Sequence, residues 1–187
     1  MAHNDDGSRF TRLRLEDMEA AQRAVADAIL AGPRKSLDGP FSAMLHSPQM
    51  ADPMQALGAA VRFNTRIPAT IRELAILLVA RRWKAQFEWH VHRLHALELG
   101  LDAAICDAIE TQRRPERMSA AEEAAYDFCH GLLETGSVTD TAFDAVVGAF
   151  GESGAVDLIA TIGYYTTVSF LLNADRYPVP EGARLLE

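Results

Sequence analysis

The chain has 187 residues, 49% of them apolar and 24% charged, with a formal net charge of −8. That length suits a single domain with a real hydrophobic core, and the composition is that of an ordinary globular protein. The acidic balance, with no basic stripe anywhere, speaks against a nucleic-acid partner. In chain order, residues 1–8 read as disordered and residues 16–31 as a helix ended by Gly32-Pro33. Residues 33–48 form a Gly-, Pro- and Ser-rich loop; its Phe41 and Leu45 suggest that it packs onto the body, and it also carries His46. Residues 49–63 read as a helix despite Pro53, with Met54, Leu57, Ala60 and Val61 facing inward.

Thr70-x-x-Glu73 has the spacing of a capping box and opens a helix over residues 70–82. From Leu74 to Ala80 this helix is apolar on every side, which predicts a central position. A polar break at residues 81–84 precedes a helix over residues 86–99, stopped by Gly100. Asp102 caps a short helix to Ile109, and a polar connection covers residues 111–118. Ser119-x-x-Glu122 opens the next helix, which Gly136 closes. Thr139 or Asp140 starts another, ending at Phe150-Gly151, and Ser153 caps a last long apolar helix over residues 154–173. Pro178 and Pro180 end it in an extended tail.

No stretch alternates apolar and polar residues as a strand would. The expectation is an all-α fold of about seven or eight helices, two of them buried at its centre, spanning residues 1–187 as one domain. No apolar run is read as reaching the ~20 residues a membrane span needs. Nor does the start of the chain have the charged-then-apolar form of a signal peptide. Cys106 and Cys129, far apart in sequence, form neither a disulfide framework nor a zinc pattern. A cytoplasmic protein without membrane contact is expected.

The chemistry concentrates in residues 72–101, RELAILLVARRWKAQFEWHVHRLHALELGL, which hold three of the six histidines. At ~100° per residue, Ala85, Glu88, Trp89, His92 and His95 fall on one stripe of a helix. Glu88 and His92 stand four residues apart, within hydrogen-bonding reach. They are either a surface pair that adds a few tenths of a kcal/mol or a general acid/base pair in which the carboxylate orients the imidazole. Glu73 either closes the capping box with Thr70 or, if buried, carries a raised pKa and relays a proton. Trp89 is a candidate pocket wall or else a packing residue, Tyr164 and Tyr165 are candidate lining residues between which the sequence does not choose, and His46 is a loop residue that could cover the site. Glu88, His92 and His95 are also ligand types on one face, but three ligands from one helix rarely converge on an ion, so no metal is assigned.

Residues 72–101 resemble the signature of the carboxymuconolactone decarboxylase family, which also holds the alkylhydroperoxidase D-like proteins. The likeness extends more loosely over residues 39–173, with GPFSAMLHSP at residues 39–48 similar to the entry loop of longer members. Peroxidase-type members carry a helix glutamate, a C-x-x-C pair and a histidine four residues on. Here those positions hold Glu73, then Ala85 and Glu88 in place of both thiols, then His92. Decarboxylase-type members have a glutamate four residues before the histidine, as in Glu88–His92, but generally lack the acid at Glu73. The chain thus combines features of both branches. The resemblance implies an alkylhydroperoxidase D-like helical fold and a homo-oligomer, trimer or hexamer. It also implies a retained site at Glu88, His92 and Glu73 but transmits no substrate; the expectation drawn from the residues is cofactor-free acid/base chemistry, decarboxylation or else isomerisation or hydrolysis, on a small carboxylated or lactone substrate. Peroxiredoxin-type antioxidant chemistry, the rival within the same family, lacks its nucleophiles here. The residues also leave open a metal-dependent enzyme and a non-catalytic oligomer that binds a small acid.

Overall fold

The computed structural model describes Asn4 and residues 6–187. Among them the fold is all-α: a 3₁₀ turn at Leu15–Asp17 and then eight helices, with no strand. They are α1 (Ala20–Ala31), α2 (Phe41–Met44), α3 (Pro48–Phe63), α4 (Ala69–Arg82), α5 (Gln86–Glu98), α6 (Ala103–Glu110), α7 (Ala120–Thr135) and α8 (Asp140–Asp175).

α4 is the core element, as its all-round apolar surface requires. Every residue from Glu73 to Arg81 is buried, and α5, α6, α7 and α8 pack around it. Leu74, Ile76, Leu77 and Val79 are fully enclosed, each contributing about 1.5–3 kcal/mol of burial. α3 lies against α1 and α8, and the short α2 bridges α3 and α8.

Local chemistry sets the helix ends. Lys84 takes a left-handed conformation (φ 49°), and the Ala85 N–H reaches back to the Ala80 carbonyl at 2.8 Å. This is the 6→1 bond of a Schellman ending, and it turns the chain tightly from α4 into α5. Asp102 caps α6, and Ser119 with Glu122 forms the expected capping box on α7. The box expected at Thr70 does not form: α4 begins after Pro68, with no side-chain cap, and the Glu73 carboxylate turns inward. The last two expected helices meet at Gly151, whose non-helical backbone (φ 73°, ψ 173°) puts the expected break as a kink inside α8.

Two further expectations are corrected. Leu57 and Ala60 face outward on α3, where Ala51, Gly58 and Val61 are the buried positions. α8 is not enclosed all round, since Val156, Ile159 and Phe170 are exposed at 62%, 49% and 49%. By length and composition α8 could also cross a membrane, although half of its most apolar window is buried inside the fold, as in a core helix.

Of the N-terminal stretch expected to be disordered, residues 1–3 and 5 lie outside the described residues. Ser8 is buried, and Asn4 Nδ2 donates to the Ser8 and Phe10 carbonyls. Asp175, buried at the end of α8, accepts the N–H groups of Arg9 (3.0 Å) and Phe10 (2.7 Å) and pairs with Arg12 (2.9 Å).

Candidate functional site

The tight turn between α4 and α5 makes the two helices antiparallel neighbours and brings three ionisable side chains together inside the protein. His92 Nδ1 lies 2.6 Å from Glu73 Oε2, and His92 Nε2 lies 3.0 Å from Glu88 Oε2. All three residues are buried. One imidazole thus stands between two carboxylates. The contact to Glu73 is a short, charge-assisted hydrogen bond. The contact to Glu88 has hydrogen-bond distance but poor alignment, so this oxygen keeps its acceptor capacity.

Both ring nitrogens face acceptors, which requires a proton on each or a proton on one carboxylate. Burial alone lowers the His92 pKa, but the hydrogen bonds and charges of Glu73 and Glu88 outweigh it and raise it to about 9. Burial pushes the Glu73 pKa upward, yet His92, Arg72 and Arg62 win and leave it lowered. The raised Glu73 pKa expected from burial is therefore corrected: it is an anionic anchor for the imidazolium. Arg72 adds a contact of 3.4 Å to Glu73 Oε1.

Glu88 and His92 line a pocket of about 180 Å³. Glu73 stands behind the ring, outside the lining, so it acts on the pocket through His92. Phe87 and Val91 of α5, with Phe41 and Val168, form apolar walls. Tyr165 meets the His92 ring edge-on at 5.0 Å. Burial, with the charge of Glu88, raises the Tyr165 pKa and keeps its hydroxyl protonated.

The remaining sequence candidates separate. Tyr164 lines the pocket. Trp89 does not; it is fully enclosed in the core, its indole N–H without a protein partner among the described residues. His46 is also outside the lining: it is exposed, with Nε2 2.9 Å from the Thr11 carbonyl and its ring against Phe10. His95 turns away from a metal role, because its Nε2 accepts from Arg62 at 3.2 Å. Among the described residues no three His, Cys, Asp or Glu side chains are spaced to hold an ion.

Sequence reasoning missed Arg34 and Arg62, which line the pocket. Arg34 sits in a loop and Arg62 in the last turn of α3, so no helical period links either to His92. Phe87 and Val91 could have been found, since they neighbour Glu88 and His92 on α5.

Cys106 and Cys129 are both buried and unpaired. Burial raises their thiol pKa values to about 11 and about 12, far from a reactive thiolate. Neither the scan of known family models nor the search of curated proteins finds a match to this chain.

Proposed function

We propose that this chain is a carboxymuconolactone decarboxylase-like enzyme that performs cofactor-free acid/base chemistry on a small carboxylated or lactone substrate. The observation that carries the reading is an imidazole clamped between two buried carboxylates at a pocket wall. Such an array stores one transferable proton near neutral pH. In a decarboxylation the C–C bond to the carboxylate breaks, and its electron pair passes into the conjugated substrate. The array then delivers its proton to carbon and recovers one from water. His92 and Glu88 are the catalytic residues in this reading, and Glu73 is a positioning residue that holds the ring and its charge. The same array serves isomerisation or lactone opening.

A thiol peroxidase is disfavoured, because both cysteines are enclosed and their pKa values are raised. We further propose a cytoplasmic homo-oligomer, supported by the exposed apolar residues on α8, with a small molecule rather than nucleic acid or membrane as partner.

The test is an absorbance assay with unsaturated carboxylated lactones, using wild type, Glu88→Gln, His92→Asn and a metal chelator. Turnover should survive the chelator and fall by about 10²–10⁴ in both variants. Loss with chelator favours a metal enzyme, and turnover indifferent to both substitutions refutes the site. Ligand-dependent melting without product favours a binding protein.

A further inference from the structure

Arg34 takes no part in the proton chemistry, and Arg62 enters it only through its charge, which helps to lower the Glu73 pKa. Among the described residues neither Arg34 nor Arg62 has a carboxylate within 4.0 Å, in a chain whose acidic residues outnumber its basic ones by 26 to 18. Both are half-buried. Withdrawing a guanidinium from water without an anion is costly, and such groups gain most from a bidentate carboxylate.

Their placement is built. A Cβ at Gly58 would stand 2.2 Å from the Tyr164 hydroxyl oxygen and 2.6 Å from Arg34 Nη2. The missing side chain therefore opens the space on α3 where Tyr164 and Arg34 meet. Arg34 Nη2 donates to the Tyr164 oxygen at 3.5 Å, which leaves the phenol proton free to donate. Arg62 lies one turn further along the same face of α3 and is steadied by His95. Arg34 is also steadied, over the Phe41 ring at 5.1 Å. The facing acids are Glu88, which pairs with the His92 ring at 3.0 Å, and Asp38, which is exposed and hydrogen-bonded by Ser36.

We propose that Arg34, Arg62 and the Tyr164 hydroxyl form an anion subsite that grips a carboxylate of the ligand, distinct from the proton-transfer array of Glu88 and His92. The gripped carboxylate is a handle and not the group that departs: two guanidiniums stabilise its charge, and charge leaves a carboxylate that is lost as CO2. Phe87, Val91 and Val168 then receive the carbon skeleton. The inference rests on the acid/base reading only for the part that calls the ligand a substrate.

The experiment reads binding without turnover. Benzoate and sorbate, with benzamide and sorbamide as uncharged matches, are titrated by calorimetry and melting temperature. The proteins are wild type, Arg34→Gln, Arg34→Lys, Arg62→Gln and Tyr164→Phe, with the circular dichroism of each unliganded variant as a folding check. The acids should bind and the amides should not. Both glutamine variants should weaken the acids by about tenfold or more, with Arg34→Lys retaining part of the affinity. Tyr164→Phe should cost less. Amides that bind as well as acids, glutamine variants that bind like wild type, or no response to either acid at about 10 mM would each overturn the subsite. Acid binding that needs both arginines, in a protein that turns over no lactone, leaves the subsite standing and removes the acid/base reading.

Discussion

His92 gains both carboxylate partners on folding, and that fixes the sign of its effect on stability. Its folded pKa, about 9, lies above its ordinary value of 6.5. The stability it contributes is complete below that ordinary value and is lost as pH rises through about 9, on the order of 3 kcal/mol in all. Glu73 runs oppositely: its lowered pKa adds stability above the ordinary carboxylate range, lost as pH falls through the folded value. Urea midpoints should therefore fall between neutral pH and about pH 9.5 in wild type. His92→Asn should be less stable at neutral pH and decline less over the same interval. An identical decline in the variant would refute the charged state of the ring. At this scale Glu88–His92 was legible because the pair is local, four residues apart on one helix. Glu73–His92 spans 19 positions and two helices, so only the resemblance to a known signature suggested it. Arg34 and Arg62 were illegible, because their place depends on how α3 and a loop pack onto α5 and α8.

At the level of elements, the bend in α8 tests whether local backbone chemistry governs the long helix. Gly151 has φ 73° and ψ 173°, a region that a side chain makes costly. Gly151→Ala should destabilise the protein by about 1–3 kcal/mol. Gly148→Ala, in the same helix at a position with open space, should stabilise it by about 0.5–1 kcal/mol. Equal effects in chemical denaturation would mean that α8 can run straight. The helix ends at Gly100, Asp102, Ser119 and Gly136 were legible because each rests on one residue's own preference. α2 was not, since four residues in a proline-rich loop show no period. The outward turn of Leu57 was also hidden: it depends on Gly58 being the residue that Tyr164 and Arg34 approach.

For the whole molecule, the helical class followed from composition and period, but the surfaces did not. The helical spacing of Val156, Ile159 and Phe170 places them on one exposed side of α8. A self-association face there predicts a multimer by light scattering for wild type. Val156→Glu combined with Ile159→Glu should shift the mass to the monomer and retain the helical circular dichroism signal. A monomeric wild type, or a double variant of unchanged mass, would refute this face. Periodicity alone could not separate such a face from a core face, because both are apolar.

The buried carboxylate of Asp175 has a kinetic consequence. It ties Arg9 and Phe10 to the far end of the chain across up to 166 positions of sequence. A contact of that span closes a loop of nearly the whole chain, so it should form after the folding barrier has been crossed. Asp175 would then act as a latch on escape from the native state and leave the speed of reaching it unaltered. In stopped-flow chevrons, Asp175→Asn should raise the unfolding rate about tenfold with the folding limb unmoved. A slowed folding limb would instead place the joining of the two chain ends inside the nucleus.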